Sequence, residues 1–348
     1  MKKSISLSIV AYCAVLFLLS SCGGKSTKNV DVSNIKVDVN IQPFYSDFAA
    51  LNASNFEAKE VELNTKYKDF YPFYVNDVMG GFKVVGKQQS EKENIINFLS
   101  DTGVKALFDT VNVHYKDLSG VQRDLEGLYK HVKYYFPNFP LPKPTAIISE
   151  YSYAAFTFDT TVLAISLDMY LGAQYSFYSY LEIPRYVQRK LRPDFMVVNS
   201  AEVLYNLYFG DDSYQPGTPL LDAMINKGKK LYFMEMMLPQ LPDSMLMGYT
   251  KEQDAWCRSS EYAIWQYMNQ RDLLYTQNFM EHKRYLSDGP TTSGMPPESP
   301  GNIGSWVGWQ IVRKFMKESN GKISLNDLLT KYDAKAIIAK ARYKPKAD

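Results

Sequence analysis

One change of hydrophobic period constrains this chain more than any other feature. Val121, Leu125, Leu128, Val132 and Tyr135 recur at spacings of three and four, which predicts an amphipathic helix over 118–135. Pro137, Pro140, Pro142 and Pro144 then end that helix and form a stiff connector. Beyond them the pattern is that of strands. Ala146-Ile147-Ile148, Ala155-Phe156-Thr157-Phe158 and Val162 to Leu167 are short apolar runs, the last two joined by a tight Asp159-Thr160 turn. After residue 170 the helical period returns and stays. A chain with one short strand-forming stretch among helices can build a small sheet of three or four strands and must cover it with helices. The expected class is therefore α+β, mostly helical.

Other elements follow from local signals. Val37, Val39 and Ile41 alternate with Lys36, Asp38 and Asn40, which predicts a half-buried strand. Ser90 with Glu93 and Thr250 with Gln253 are capping boxes that start helices. The second of these helices is expected to run through Trp256 and Trp265 to about Gln270. Further helices are expected over 201–209, 220–237 with Gly228 a weak point inside it, 306–317 and 336–342. Tyrosine (27) and phenylalanine (19) are abundant, so core and grooves are expected to be built from rings.

The amino terminus has its own signature. Lys2 and Lys3 precede an apolar run from Ile9 to Leu19, the length of a signal-peptide core and too short to span a bilayer. Leu19-Ser20-Ser21-Cys22 resembles a lipobox, an aliphatic residue and two small ones before the cysteine that is lipidated. The reading is residues 1–21 as a lipoprotein signal peptide, 22–35 as a polar flexible tether, and 36–348 as one globular domain. Acyl chains on Cys22, palmitate among them, would anchor the chain to a membrane, several chains holding where one would not.

Charge and chemistry exclude much. The chain has 39 basic and 37 acidic residues, and loss of Lys2 and Lys3 with the leader leaves 37 of each. Such balance gives no electrostatic basis for nucleic-acid binding. Cys13 leaves with the leader, so Cys257 is the remaining thiol, and a small buried thiol inside a helix is its expected state. His114, His131 and His282 are widely separated; there is no His-Glu-x-x-His, no nucleophile elbow and no phosphate or dinucleotide loop. No catalytic residue, metal or cofactor is expected. Asp254, Arg258, Glu261 and Trp265 recur at four, three and four, and so share a helix face. They mark either a salt-bridged surface or a polar groove bordered by rings. In Pro300-Gly301-Asn302-Ile303-Gly304-Ser305-Trp306-Val307-Gly308-Trp309, the glycines allow a sharp turn and a close backbone approach at Gly308.

That stretch, with Tyr170-Leu171-Gly172, Ile183-Pro184-Arg185-Tyr186, Leu221 to Leu231, and Gly248-Tyr249-Thr250, resembles the GldB family of gliding motility lipoproteins of Bacteroidetes over about 170–320. More distantly the family is similar to zinc peptidases of the gluzincin kind. Under that resemblance the segment 192–205, where the metal-binding helix would lie, has no histidine, and Lys227-Gly228 stands in place of a ligand glutamate–glycine. The resemblance implies a peptidase-like frame with its metal site lost, a pseudoenzyme. It implies a non-catalytic envelope lipoprotein that supports the gliding or linked secretion machinery through envelope protein partners. The resemblance implies the outer membrane, and the absence of acids between Cys22 and Asp31 favours a domain facing the periplasm over one facing the medium. The expected partner surface is a cleft bordered by Lys227, Lys229, Glu261, Trp265, Trp306 and Trp309. A periplasmic hydrolase working through Asp254 and Glu261, or a binder of a sugar or peptide, are the alternatives.

Overall fold

A computed structural model describes residues 30–83, 88–211 and 214–347. From Ile35 onward the chain packs as one compact unit. Its centre is a three-stranded mixed sheet of order β1-β3-β2: β1 (Lys143–Ile147), β2 (Ala155–Phe158) and β3 (Val162–Ser166). β1 runs parallel to β3, with Thr145 opposite Ala164. β2 returns antiparallel on the other side, with Phe156 opposite Ala164. The hairpin turn holds Asp159 at φ 47°, a left-handed conformation that a short acidic side chain tolerates.

The two-residue period of the strands assigns the sheet's faces to two cores. Ile147, Val162 and Ala164 point into an aromatic layer. It is made by α1 (Phe44–Ala49), α2 (Phe56–Tyr67), the short helical turns that follow to residue 82, and α3 (Glu91–Ser100). Here Phe44, Phe48, Phe70 and Tyr74 are almost fully buried, and Phe44 meets Tyr74 edge-on at 4.6 Å. Such pairs contribute about 0.5–1.5 kcal/mol beyond area burial. The Tyr74 hydroxyl donates to the Ile148 carbonyl at 2.9 Å and ties the layer to the end of β1. Ala146, Ile148, Leu163 and Ile165 face the larger core. It is formed by α4 (Thr102–His114), α5 (Ser119–Tyr135) and the helices after the sheet. With both faces covered, β3 is buried throughout and apolar from Val162 to Ile165, and β1 is buried from Pro144 to Ile147.

Beside the short helical turns Arg185–Gln188 and Asp243–Met247, the carboxy-terminal helices are α6 (Ser176–Tyr180), α7 (Met196–Phe209), α8 (Leu220–Met237), α9 (Lys251–Ser259), α10 (Glu261–Gln270), α11 (Phe279–Leu286), α12 (Ile303–Glu318), α13 (Leu325–Lys331) and α14 (Ala334–Ala341). Both expected capping boxes are present, Ser90 with Glu93 and Thr250 with Gln253. The tightest packing is α8 on α12, where glycines replace side chains. A Cβ on Gly228 would sit 2.3 Å from the Gly308 carbonyl carbon, and one on Gly308 only 1.8 Å from the Met224 carbonyl oxygen. Gly228 is thus a crossing point and not a weak point.

Three local expectations are corrected. Residues 37–41 alternate in burial but form no ladder, since the chain reaches the sheet only at Gln42, which bridges Thr145. Pro144 lies inside β1, where the neighbouring strand segment bonds its carbonyl and its missing N–H is not needed. The helix from Thr250 breaks at Ser260 (φ −104°, ψ 6°) into α9 and α10, so Asp254 and Arg258 lie on one helix and Glu261 and Trp265 on another.

Candidate functional site

α8 carries polar groups into two cavities that meet at Lys227. The larger, about 510 Å³, has walls from Tyr205 and Phe209 of α7, Phe279 and His282 of α11, and Tyr214. That is within the range of small-molecule sites. Lys227 and Lys229 line it from α8, and Lys283 from α11. His282 is 3% exposed; its Nε2 lies 3.3 Å from the Thr276 carbonyl, and the Tyr214 ring stands edge-on to it at 5.0 Å. Its Nδ1 is buried with no partner among the described residues. Burial lowers the Lys229 ammonium from its ordinary range, and its Nζ donates to the Tyr332 carbonyl at 2.9 Å.

The second cavity, about 330 Å³, is polar in a different way. Lys230 of α8 pairs with Glu202 of α7 at 2.8 Å, across 28 residues of sequence. Lys190 pairs with Asp288, and Asn302 Nδ2 donates to the same carboxylate at 3.0 Å. Desolvation pushes Asp288 up, but the Lys190 ammonium and the Asn302 amide outweigh it and hold the carboxyl below the usual range. Ser305, at the start of α12, also lines this cavity with a buried, unpartnered Oγ.

The six residues expected to border one cleft do not come together as one. Lys227 and Lys229 line the larger cavity. Glu261 lies on α10, where it accepts a hydrogen bond from the Tyr343 hydroxyl at 2.5 Å, and Trp265 stands edge-on to the same Tyr343 ring at 5.0 Å. Trp306 and Trp309 are 1% and 0% exposed, so they belong to the core and not to a surface. The reason is the glycine crossing, which draws the first two turns of α12 into the interior. The Trp309 indole N–H donates to Glu235 at 2.7 Å, beneath the Arg313 guanidinium at 3.8 Å from its ring. Arg313 donates to Glu235 at 2.8 Å and clamps Asp243 with two bonds of 2.6 and 2.7 Å. Asp243 is also held by Arg258, which pairs with Asp254 at 2.9 Å. The expected Asp254–Arg258 pair is therefore one edge of an ion network that joins α8, α9 and α12.

Other chemistry-bearing groups are placed as structural ones. Cys257 is fully buried, and burial pushes its thiol far up. The His131 Nδ1 bonds the Gly127 carbonyl of its own helix at 2.8 Å, and His114 meets the Tyr115 ring edge-on at 4.7 Å. Among the described residues no three His, Cys, Asp or Glu side chains gather to hold a metal, and no helix is long and apolar enough to cross a membrane. Sequence reasoning missed Glu202, Lys230, Asp288 and His282. Nothing in their local patterns marks them, because each acquires its setting from a distant element. Cys22 and most of the 22–35 tether lie outside the described residues.

Fold and site together define a mostly helical α+β protein with a sheet buried on both faces and two cavities on one helix. The chain belongs to the gliding motility protein GldB family of lipoproteins, whose model matches residues 25–345. No curated protein and no solved structure matches the chain. The expected likeness to zinc peptidases finds no support in these comparisons.

Proposed function

We propose that this chain is a non-catalytic lipoprotein of the cell envelope that supports the gliding machinery or the secretion apparatus linked to it. Residues 1–21 are removed, acyl chains on Cys22 hold the outer membrane on its periplasmic face, 22–35 are the tether, and 36–348 form one globular body that engages envelope proteins. The observation that carries the reading is the family match over 25–345, which spans nearly the whole processed chain. Two structural facts support the absence of catalysis. The one thiol is buried and held protonated, which removes the thiolate a cysteine hydrolase needs. Asp254 and Glu261, the carboxylates a hydrolase would use, are engaged by Arg258 and Tyr343 on separate helices.

The test is a crosslinked pull-down of the tagged lipidated chain from its own envelope, with Cys22→Ala as the mislocalised control. Gliding or secretion components recovered with the wild type and lost from the control are the expected result. Equal recovery from both, or none from either, overturns the reading.

A second reading, a ligand-binding lipoprotein, is favoured by one observation: the cavity of about 510 Å³ with ring walls and lysines. It suits a compact molecule with an apolar face and an anionic group. A thermal-shift screen of aromatic carboxylates tests it. A shift of several degrees that Lys229→Met or Phe279→Ala abolishes supports it, and a flat screen removes it.

A further inference from the structure

We propose that the turn around α6 is a membrane-contacting wedge, which lays one face of the domain on an anionic lipid surface. Phe177, Tyr180 and Leu181 are exposed, Tyr180 to 77%. Their exposure is built and not incidental. Between the two outward rings, Tyr178 is fully buried; its hydroxyl donates to the Asp168 carbonyl at 2.7 Å and accepts the Leu171 N–H at 2.9 Å. The Ile183 N–H returns to the Tyr178 carbonyl at 3.0 Å, and the Gln188 amide holds the Ile183 carbonyl at 2.6 Å. Glu182 closes the turn at φ 56°, a conformation that a non-glycine residue adopts only when its surroundings impose it. Phe177 stacks on Tyr180 at 5.2 Å and also meets the Tyr151 ring at 5.2 Å. The rings are thus fixed together in an outward pose, and little order has to be gained when they enter an apolar medium.

The occupant follows from charge and from the anchor. Between residues 173 and 192 stand four basic residues against Glu182; Lys190 pairs with Asp288 and Arg192 with Asp194, which leaves Arg185, exposed, and Arg189 as the cations that follow the wedge. An apolar ring, Phe177, stacked on one with a polar tip, Tyr180, and followed in the chain by arginines, suits the boundary between headgroups and acyl chains of a bilayer with anionic lipids. Residues 23–35 can extend at most about 45 Å, so a lipid on Cys22 keeps the domain within that reach of the bilayer. At such effective concentration a weak interfacial contact is enough to orient the body. The inference takes its setting from the lipid anchor proposed above, but its test is made on the chain without that anchor, so that either can fail alone.

The whole mature chain from residue 22, with Cys22→Ser, is cosedimented with vesicles of phosphatidylethanolamine and phosphatidylglycerol in equal parts, and with vesicles of phosphatidylcholine. Salt-sensitive binding to the first and much weaker binding to the second are expected. Phe177→Ser with Tyr180→Ser is expected to lower the partition at least about tenfold at unchanged circular dichroism. A Tyr180→Trp chain is expected to gain a blue-shifted emission on the anionic vesicles that a Val61→Trp chain, altered at another exposed apolar position, does not. Absence of vesicle binding, or equal binding by the double variant, overturns the proposal. So does loss of an envelope protein crosslink in that variant without loss of lipid binding, which would assign the wedge to a protein partner.

Discussion

Substituting Gly308 by alanine tests the helix crossing directly, because two ordinary rules give opposite signs. Alanine is favoured over glycine inside a helix by about 1 kcal/mol, so helix propensity alone predicts stabilisation. The crossing predicts the reverse. The new Cβ would lie 1.8 Å from the Met224 carbonyl oxygen, 2.3 Å from its carbon and 3.1 Å from the Ile225 nitrogen. Carbon contacts settle near 3.5–4.0 Å, so α8 and α12 must part by on the order of 1.5–2 Å. The obstacle is backbone and cannot swing aside as a side-chain tip could. Overpacking by a methyl group in a core costs about 1–3 kcal/mol when side chains can adjust. Here the separation also loosens Trp306, Trp309 and the Arg313 clamp, so a net loss of at least about 3 kcal/mol is expected. For a body of this length the unfolding entropy is about 0.65 kcal/mol/K, which makes the loss a fall in Tm of about 5 °C or more. Gly127→Ala, on α5, is the control, since its Cβ would meet nothing within 4 Å. It should raise Tm by about 1–2 °C. Both are read by thermal unfolding of the unlipidated mature chain at one scan rate. If Gly308→Ala matches Gly127→Ala, or stabilises, the close approach described here is wrong.

Two further outcomes rest on buried charge. Asp168 is fully buried and accepts backbone N–H groups from Ser149 and from Tyr151, the latter at 2.7 Å; desolvation outweighs these bonds and lifts its carboxyl to about 6 from 3.8. The folded chain holds the proton more tightly than the unfolded one. The stability this contributes is therefore complete below pH 3.8 and is lost as pH rises through about 6, a span of about 3 kcal/mol. Urea midpoints between pH 4 and 7 should show that decline in the wild type and a shallower one in Asp168→Asn, and parallel profiles would refute the assignment. Arg313→Met leaves Glu235 and Asp243 without their shared cation, and removing one partner of a buried pair costs about 3–5 kcal/mol. A urea midpoint within experimental error of the wild type would show that the network contributes little.

Much of the fold is legible from periodicity, and the reason is local. The strands announce themselves because each is a short apolar run between turn residues, and α5 because its apolar stripe repeats every three to four residues. The two capping boxes are chemical signals four residues long, and both hold. The site is less legible because its parts meet only through packing. Gly228 and Gly308 each carry a hint, but nothing in the sequence says that they face one another across 80 residues. Trp306 and Trp309 share a helix side, which suggested a groove; the better signal was the absence of any charged residue between Glu298 and Arg313, which marks a segment buried all round. The Lys230–Glu202 pair and the His282 pocket depend on which helices lie beside α8, and no local pattern encodes that. The break at Ser260 follows two serines in succession, a weak helix signal that the strong cap at Thr250 outweighed in the sequence reading.

The way the chain enters its sheet has a mechanical meaning. Tension applied at the amino end meets Val39 first, buried in the larger core, and then Gln42, where two backbone bonds of 2.8 Å, to the Pro144 carbonyl and from the Ala146 N–H, fasten it beside β1. Next in line is the aromatic layer of Phe44, Phe48 and Tyr74, a core separate from the one that holds α8 and α12. A pull on the tether therefore loads both cores within ten residues, the larger through Val39 and Tyr45 and the smaller through Phe44 and Phe48. Under the proposed anchor, the segment 39–48 would pass a pull to both faces of the sheet at once, so that the body answers it as one piece.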